Sequence, residues 1–395
     1  MRILVIHSEL GVLRGGGENF TRNLFTAFAE RGHNVKAAFL ADHKTRYPIP
    51  LPSNIEPIPI SGLWSRNFGQ GFLSFIRRFI PCEEKPRARW NHVQEALSWR
   101  AIRLHDRRFA RRVERDFCRI WNQFDVIYVH ANPLLASKIA RHRPTILRLP
   151  GPTTADLAPA LRAVHAVCAN GDALIRIRRF LGDHAIELPI GVDRHRFSSE
   201  GSSIRSDLGW TDQDRVFGYV GRLTHLKGVD LLATAFHEMS CVAPNAKLLV
   251  IGRGTEERYM RSVLSKELAG GSVHIEPDVD HEKLAAWYRA MDLLVMPSRY
   301  ENFSNAMLEA MSCGIPILAS NIGGNTILSA TGAGWLFEPA SMSSLSLQMR
   351  RLLEIASEMK TRGKLGSIYV RDCLTWAASA KRLEEIIAFR LGVKA

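Results

Sequence analysis

Short apolar runs alternate with helical patterns along most of the chain. The first run, Arg2–Ile6, predicts a strand, and Asn19–Glu30 predicts a helix with its phenylalanines on one face. Further strands are predicted at Val35–Leu40, Val126–Val129, Thr145–Leu149, Ala163–Cys168, Val216–Val220, Lys247–Ile251 and Leu293–Met296. Strands and helices that alternate in this way form parallel sheets covered by helices on both faces, so the pattern predicts an α/β fold.

The alternation of strand and helix patterns starts again in the middle of the chain. After the polar stretch Ser198–Asp214, the segment Arg215–Gly221 has the pattern of a new first strand and its turn. We therefore expect two doubly wound, Rossmann-like domains of similar size, residues 1–190 and 191–375, followed by a helix within 376–395. Open parallel sheets bind ligands at the carboxyl ends of their strands, so the site is expected in a cleft that the two domains face.

Residues 62–121 interrupt the rhythm as an insertion in the first domain, because they are far longer than a normal connection between strands. The insertion begins with aromatic side chains beside arginines, and its second part predicts a helix that buries Leu104, Phe109, Val113, Phe117 and Ile120. Residues 77–119 hold 13 Lys or Arg and 6 Asp or Glu, which gives 13 − 6 = +7. An interfacial helix needs this combination of cations and apolar side chains, and a solvated helix that covers the first sheet has it too.

Composition narrows the class of protein. The chain has 395 residues, of which 46% are hydrophobic and 23% charged, values typical of a globular protein rather than a disordered one. The 53 Lys and Arg exceed the 39 Asp and Glu by 14, and about half of that excess lies in the insertion. Nucleic acid, an anionic membrane surface and a phosphate-bearing substrate are the partners that such an excess suggests.

Cysteine spacing and hydropathy favour a cytoplasmic protein. The six cysteines lie at least 36 residues apart, which excludes a zinc ribbon or a redox motif and predicts buried, reduced thiols. The four apolar residues Ile3–Ile6 are too few for the core of a signal peptide, and no window reaches the roughly 18 apolar residues of a membrane span. We expect contact with a membrane, if any, at its surface.

A strand-to-helix turn holds the most informative residues. The strand that ends at Met296 leads into a helix that begins near Ser304, with Glu301 before the helix and Glu309 about two turns along it. The free amides and dipole at such a helix start bind anions, and the two carboxylates can hold hydroxyls on either side of a diphosphate. The spacing alone is equally compatible with a capping carboxylate at Glu301 and a solvated Glu309.

A second turn, Gly221–Gly228, follows a strand end directly and carries Arg222 and Lys227. Arginine supplies a planar fork and lysine a point charge, a suitable pair for two phosphates. A turn with two exposed cations is the simpler interpretation when this segment is considered alone, and the phosphate-type helix start beside it weakens that interpretation.

Together these residues resemble the retaining nucleotide-sugar glycosyltransferases of the GT-B fold, family 4, which are also described as glycosyl transferases group 1. In the second half, residues 216–340 match almost continuously, through Gly221–Gly228, Ile251–Gly254, the pair Glu301 and Glu309, Gly314–Pro316 and Gly323–Gly324. The first half matches more loosely, through the glycines at 15–17, Asp125–His130 and Pro189–Asp193. Pro277 and Ile327 stand where the family usually has glycine and glutamate.

The resemblance implies a catalytic set of His130, Arg222, Lys227 and Glu301. Arg222 and Lys227 would neutralise the donor diphosphate, Glu301 would hold hydroxyls of the transferred sugar, and His130 would reach that sugar from the first domain. The donor-binding residues that the resemblance implies are Gly16, Gly17, Gly221, Gly252, Gly254, Val279, Phe303, Ser304, Asn305 and Glu309. Among these, Glu309 would bind the ribose, the amides of Ser304 and Asn305 would meet the phosphate and sugar, and the glycines would allow close approach. The last helix, from Trp376, would cross back to the first domain.

The implied activity is that of a hexosyltransferase, which moves a sugar from a nucleoside diphosphate sugar to a hydroxyl of a glycan or lipid-linked glycan and retains its configuration. No cofactor is implied, and no paired aspartates with metal-ligand spacing follow a strand, so no metal is expected. The basic insertion favours an anionic membrane as a partner, with the protein peripheral on the inner face and active in cell-surface polysaccharide or lipopolysaccharide assembly. Transfer to a soluble small-molecule acceptor is the alternative.

Two other classes of protein fit less well. A nucleic-acid binder would use the same positive charge, but no zinc spacing, RNA-recognition signature or helix-turn-helix pattern accompanies it. A nicotinamide-dependent oxidoreductase would need G-x-G-x-x-G after the first strand, and Asn19 and Phe20 fall where the last glycine belongs. The sequence therefore predicts a sugar transferase that has no nucleic-acid partner.

Overall fold

The structure is a computed structural model that describes residues 1–10, 15–41, 50–60, 104–151 and 153–393. It divides into two compact units. Unit 1 comprises Met1–Gly191 together with Trp376–Ala395, and unit 2 comprises Val192–Thr375. The first part of the predicted insertion, with its aromatic side chains and arginines, lies outside the described residues.

Unit 1 is built on a parallel sheet of seven strands. They are β1 (Arg2–Ile6), β2 (Asn34–Leu40), β3 (Ile55–Ile60), β4 (Val126–His130), β5 (Thr145–Arg148), β6 (Ala166–Ala169) and β7 (Ala185–Glu187). Their spatial order is β3-β2-β1-β4-β5-β6-β7, so the winding of the sheet reverses between β1 and β4. Such a switch point leaves a crevice at the carboxyl ends of the two strands.

Unit 2 repeats this plan with a parallel sheet of six strands. They are β8 (Arg215–Val220), β9 (Ala246–Ile251), β10 (Val273–Glu276), β11 (Leu293–Met296), β12 (Ile317–Ser320) and β13 (Gly334–Phe337). In the order β10-β9-β8-β11-β12-β13, the reversal falls between β8 and β11. The two parallel sheets confirm the predicted α/β fold class.

Helices flank both sheets. The described helices are α1 (Gly16–Glu30), α2 (residues 104–117), α3 (Pro133–Ile139), α4 (Ala158–Arg162), α5 (Gly171–Leu181), α6 (Val229–Ser240), α7 (Glu257–Val263), α8 (Ser265–Ala269), α9 (Leu284–Tyr288), α10 (Asn305–Ser312), α11 (Ile327–Thr331), α12 (Met342–Leu352), α13 (Ala356–Cys373) and α14 (Trp376–Leu391). Because helices cover both faces, central strands are buried throughout, as the apolar runs Ile3–Ile6 and Val126–Val129 show.

Helix α2 is the described part of the insertion. Phe109, Val113 and Phe117 belong to the hydrophobic core of unit 1, and Ile120 packs against that core. Leu104, which the pattern assigned to the same buried face, is instead 52% exposed. The helix thus covers the first sheet with one face and carries arginines on the other.

Helix α14 packs on α1 within unit 1. The rings of Trp376 and Phe20 meet edge to face at 5.6 Å. Further along, Glu384 accepts hydrogen bonds from Arg31 at 2.6 and 2.7 Å and contacts Nε2 of His33 at 2.8 Å. The return of the chain to its first sheet therefore rests on both an apolar contact and a charged one.

Two further predictions concern the burial of the cysteines and the absence of a membrane-spanning helix. The prediction of buried thiols is wrong for Cys118, Cys241 and Cys373, which are exposed, and holds for Cys168 and Cys313. Within the described ranges, no helix combines the length and the apolar character that crossing a membrane requires.

Candidate active site

The two motifs of unit 2 meet at the switch point of its sheet. Lys227 lies in the turn after β8 and Glu301 in the turn after β11, and Nζ of Lys227 donates to Oε2 of Glu301 at 2.6 Å. Glu301 is buried, at 8% exposed, and the Ser298 hydroxyl lies 3.5 Å from the same oxygen. A buried carboxylate needs such a charged donor, because desolvation would otherwise disfavour its ionised form. The structure thus brings together two side chains that are 74 positions apart.

Glu301 does not cap the helix that follows it. The N-cap of α10 is Ser304, whose hydroxyl accepts from the Met307 amide at 3.4 Å. Asn305 is the first helical residue, and Phe303 and Ser304 are half-buried just before it. The interpretation of Glu301 as a capping carboxylate is therefore wrong, and the first amides of α10 lie close in sequence to the Lys227–Glu301 pair.

Backbone contacts hold the turn Gly221–Gly228 against its neighbours. A Cβ at Gly228, which has a φ of +66°, would lie 1.8 Å from the carbonyl oxygen of Pro297. Arg299, two residues further on, donates to both carboxylate oxygens of Asp230 at 2.7 and 2.8 Å and to the His225 carbonyl at 2.8 Å. The turn that carries Lys227 is therefore fixed to the one that carries Glu301.

The glycines Gly252 and Gly254 serve the packing of this edge. A Cβ at Gly252 would lie 1.9 Å from the Gly221 carbonyl oxygen, and one at Gly254 would lie 2.1 Å from that of Leu223. The amide of Leu223 in turn donates to the Arg253 carbonyl at 2.8 Å. The turns after β8 and β9 can approach this closely only because these side chains are absent.

Glu309 is held by two residues that the sequence did not single out. Tyr288 donates to its Oε2 at 2.9 Å, and Nε2 of His281 lies 3.4 Å from its Oε1. Since Arg196 can only donate, its bond of 2.7 Å to Nδ1 of His281 places the histidine proton on Nε2, toward Glu309. Burial, and after it the Glu309 charge, raise the pKa of Tyr288 well above its ordinary value, so it acts as a neutral donor.

Glu309 is therefore oriented rather than solvated, and the interpretation of it as a solvated helix residue is wrong. Each carboxylate oxygen has one partner within unit 2 and keeps acceptor capacity for a hydroxyl. Val279 lies two residues before His281 in the loop after β10 and is half-buried. No sequence spacing links His281, Tyr288 and Arg196 to Glu309, because the contacts arise from the packing of separate elements.

Arg222 differs from Lys227 in its surroundings. Its side chain is exposed and forms no ion pair with any residue that the structure describes, while its carbonyl oxygen accepts from the Tyr219 hydroxyl at 2.8 Å. Burial raises the pKa of Tyr219 above its ordinary range, so this phenol is a neutral donor that fixes the turn. Arg222 is thus a solvated cation on a well-anchored turn.

The switch point of unit 1 holds a second polar cluster. His7 follows β1, His130 ends β4, and their rings stack at 4.0 Å with 12° between the planes. Both are buried, and the Thr21 hydroxyl of α1 lies 3.0 Å from Nδ1 of His7 and 3.2 Å from Nδ1 of His130. Ala131, directly after His130, has a φ of +56°, a strained value for a residue with a side chain.

Two of the three glycines after β1 leave room for neighbouring side chains. A Cβ at Gly17 would lie 3.0 Å from Nε2 of His130, and one at Gly15 would lie 2.5 Å from Oε2 of Glu18. Gly16 is exposed at the start of α1. The geometry thus gives Gly17 a neighbour in His130, in addition to the contact with a diphosphate or acceptor that the sequence predicts.

Similarity to solved structures extends over the whole chain. A sucrose-phosphate synthase from Thermosynechococcus elongatus superposes with a TM-score of 0.75 at 19% identity and covers 99% of each chain. At this identity the likeness concerns the fold. Two doubly wound sheets, each with polar side chains at its switch point, define a protein of the GT-B fold.

Sequence comparison then relates the second unit to a family. Residues 202–367, which lie within unit 2, match the model of the family described as Glycosyl transferases group 1. A D-inositol 3-phosphate glycosyltransferase of Segniliparus rotundus is 28% identical over 202 residues, which are 50% of this chain and 45% of that protein. A GDP-mannose-dependent monoacylated alpha-(1-6)-phosphatidylinositol monomannoside mannosyltransferase of Corynebacterium glutamicum is 28% identical over 229 residues, 54% of this chain and 59% of that protein. The chain spans about half the length of the curated relatives it matches.

Proposed function

We propose that this protein is a retaining glycosyltransferase of family 4, which transfers a hexose from a nucleoside diphosphate sugar to a hydroxyl of a glycan or lipid-linked glycan. The observation that carries the proposal is the contact of 2.6 Å between Lys227 and the buried Glu301 at the switch point of unit 2. It joins a phosphate-type cation to a carboxylate suited to sugar hydroxyls, and that carboxylate lies shortly before the start of α10 in the sequence.

The residues divide the work of a donor site between them. As the bond between the anomeric carbon and the leaving oxygen breaks, negative charge grows on the diphosphate, and Arg222 and Lys227 stabilise it. The acceptor oxygen forms the new bond on the same face of the sugar, and its proton passes to the leaving phosphate. Glu301 accepts from hydroxyls of the transferred sugar, and Glu309, oriented by His281 and Tyr288, accepts from the ribose. Atoms and charge balance without a nucleophile from the protein.

A thermal-shift panel tests the donor assignment. UDP-, GDP-, ADP- and TDP-sugars are compared with the matching nucleoside monophosphates, which lack the second phosphate that Lys227 and Arg222 would bind. A ligand at 100 times its Kd stabilises by about 2.7 kcal/mol, so one family of nucleoside diphosphate sugars should raise Tm clearly above its monophosphate. If no nucleotide sugar shifts Tm and none is consumed with any acceptor, the proposal fails.

Retention and metal independence have their own measurements. The proton NMR coupling at the anomeric carbon of the product reports its configuration, and an inverted product would contradict the front-face route. We expect transfer to proceed without added divalent ions, because the cations Arg222 and Lys227 already serve the diphosphate. Loss of activity in EDTA and its recovery with Mg²⁺ would overturn that expectation.

The exposed face of α2 supports a peripheral position at an anionic membrane. Arg107, Arg108 and Arg111 are exposed, none forms an ion pair with a described residue, and Leu104 lies on the same side of the helix. Basic residues contribute about 1 kcal/mol each near an anionic surface. The Corynebacterium relative, whose name contains a monoacylated phosphatidylinositol monomannoside, supports a lipid-linked acceptor.

Vesicle flotation tests this part independently of catalysis. The variant Arg107→Glu/Arg111→Glu should lose binding to anionic vesicles, while Arg350→Glu/Arg351→Glu, with the same charge change on exposed positions of α12, should keep it. Binding that is equal on neutral and anionic vesicles would contradict the electrostatic contribution.

A soluble acceptor is the second candidate. The Segniliparus relative is named for D-inositol 3-phosphate, a small phosphorylated polyol, and the positive charge of the chain suits such a substrate as well. Transfer to soluble polyol phosphates at a rate that anionic vesicles do not increase would favour this alternative over a lipid-linked acceptor.

A further inference from the structure

The turns after β8 and β11 lie beyond the pairing of these two strands. That pairing joins Leu293 to Phe217 and Leu294 to Gly218, and both strands then continue for two more residues toward the switch point. The ladder between the strands therefore does not extend to the turns that carry the candidate donor residues. Contacts made by the turns themselves must hold them in place.

Arg299, in the turn after β11, makes such contacts on both sides of Lys227. Its guanidinium donates to the His225 carbonyl at 2.8 Å, two residues before the lysine. It also donates to both carboxylate oxygens of Asp230 at 2.7 and 2.8 Å, three residues after the lysine. The Arg299 amide donates to the Leu226 carbonyl at 2.9 Å. The turn that carries Lys227 is thus held at three points that enclose it.

The partner of the Arg299 guanidinium is a buried carboxylate. Asp230 is 7% exposed and lies in the first turn of α6, where a negative charge also suits the helix dipole. A fork of two parallel N–H···O bonds fixes direction as well as distance, which a point charge does not. Since Arg299 lies two residues before Glu301, one side chain ties the lysine turn to the glutamate turn.

A second fork of arginine and aspartate lies at the amino ends of the same two strands. Arg205 donates to the carboxylate oxygens of Asp292 at 3.3 and 3.1 Å, and Asp292 accepts from the Val216 amide at 2.8 Å. Asp292 directly precedes β11, and Val216 is the second residue of β8. The two arginine side chains are similarly exposed, 16% for Arg205 and 22% for Arg299. The pair of Arg205 and Asp292 is therefore a matched control for a purely stabilising role.

We propose that Arg299 is a positioning residue, which holds the turn Gly221–Gly228 so that Nζ of Lys227 meets Glu301. The contact of 2.6 Å between those two side chains depends on both turns at once, and the Arg299 fork joins the turns. The cation is then in place before a donor binds, as electrostatic stabilisation of a transition state requires. That the pair serves a diphosphate and a sugar rests on the proposed function. The position of Lys227 does not.

Nitrogen-15 NMR of the lysine ammonium groups in the full chain measures the contact without any substrate. The signal that disappears in Lys227→Arg identifies Lys227, and a shift of that signal in Glu301→Gln shows that it reports the contact. Arg299→Lys keeps the charge and loses the planar fork, so it should move the signal toward those of solvated lysines. Arg205→Lys should leave the signal unchanged.

Asp230→Asn is the second variant, and it decides the question if Arg299→Lys does not fold. It keeps the bond from Arg299 to the His225 carbonyl and should shift the Lys227 signal in the same direction by a smaller amount. An unchanged signal in the folded variants would overturn the proposal, as would a wild-type signal that equals those of solvated lysines. If neither variant folds while Arg205→Lys does, Arg299 serves the stability of unit 2, and a positioning role is excluded.

Transfer kinetics separate this inference from the proposed function. Arg299→Lys should lower kcat roughly tenfold and raise the donor Kd, while Arg205→Lys should change neither. In a Lys227→Ala background, Arg299→Lys should have little further effect, because a positioning residue acts through the lysine. An equal loss in both backgrounds would overturn the proposal.

The combined results assign any failure to one of the two claims. If the Lys227 signal shifts as expected and kcat does not change, the positioning role stands and the assignment of Lys227 to the diphosphate is wrong. If the wild type transfers no sugar at all, the NMR result still decides the role of Arg299.

Discussion

A β-carbon added at Gly17 would lie 3.0 Å from Nε2 of His130, closer than such contacts normally are. Stacking on His7 and the bond to Thr21 both hold the His130 ring, so it cannot easily move away. Gly17 lies in the first turn of α1, and its missing side chain leaves room beside Nε2. The glycine to which the resemblance assigns close approach of a ligand thus also leaves space for an imidazole.

Gly17→Ala should therefore separate activity from stability. Alanine is a better helix former than glycine by up to about 1 kcal/mol, which offsets part of the strain from the crowded His130 ring, so Tm should change little. Transfer should nevertheless fall about tenfold or more, because the added methyl group crowds Nε2 of His130. Steady-state kinetics and a thermal melt on the same preparation measure both effects.

Gly151→Ala is the control for this substitution. A Cβ at Gly151 would meet no atom within 4 Å, so the change should affect neither kcat nor Tm. Wild-type activity in Gly17→Ala would mean that Nε2 of His130 takes no part in transfer.

Lys227→Ala should abolish most of the activity. The change removes the cation from a buried carboxylate 2.6 Å away, and we expect transfer to fall by at least about 100-fold, which corresponds to 2.7 kcal/mol. The donor Kd, measured by calorimetry, should rise with it because the diphosphate loses a charge partner.

Lys247→Ala provides a matched comparison in the same unit. Lys247 forms a partly buried ion pair with Asp214 at 3.5 Å. It lies at the amino end of β9, whereas Lys227 lies beyond the carboxyl end of β8. Both variants should lose stability, while Lys247→Ala should retain activity. Equal activity of the two variants would place the donor site elsewhere.

His281→Gln should weaken nucleotide binding selectively. His281 orients one oxygen of Glu309 and receives a bond from Arg196, so its loss leaves the predicted ribose ligand less fixed. We expect the KM for the donor to rise about threefold to tenfold, with a smaller change in kcat, since the ribose does not react.

His237→Gln tests whether any histidine–glutamate pair would have the same effect. His237, in the last turn of helix α6, contacts Glu267 of the same unit at 2.7 Å. Its substitution should lower Tm and leave the donor KM unchanged. A similar KM effect in both variants would show that the change acts through stability rather than through Glu309.

The apolar pattern predicted most of the central strands, and it missed β12 and the edge strands β3, β7, β10 and β13. β4, β8, β9 and β11 appear as uninterrupted apolar runs because both of their faces are buried. β3 (Ile55–Ile60) contains Pro57 and Pro59, which argue against a strand, yet it lies at the edge of the sheet, where proline is tolerated. The strand expected from Ala163 begins instead at Ala166, because α4 and a turn occupy the residues before it.

The sequence predicted the site residues that follow a strand end. It did not predict the contacts that these side chains make with one another. Lys227 and Glu301 could each be predicted because each follows the carboxyl end of a parallel strand. No sequence spacing shows that the two side chains touch. Thr21 lies in the middle of an apolar helix pattern and resembles any small buried residue. Its contacts with His7 and His130, like that of His281 with Glu309, join residues that are distant in sequence.

The attachment of α14 to α1 should weaken at low pH through Glu384. The hydrogen bonds from Arg31, and after them those from His33, lower the pKa of Glu384 in the folded protein. In the unfolded chain the pKa returns to about 4.3, so the contribution to stability is complete above that value and is lost as the pH falls through the lowered pKa.

Glu384→Gln should therefore destabilise the protein near pH 7 by about 1 kcal/mol, a modest amount because Arg31 is partly exposed. The difference from wild type should disappear at a pH below the lowered pKa of Glu384, where both side chains are neutral. Glu385→Gln is the control, since its partner Arg382 and Glu385 itself are about half exposed, and it should change Tm little at either pH. Thermal melts at both pH values measure all three proteins, and a Glu384→Gln deficit that persists at low pH would mean that the carboxylate charge is not its source.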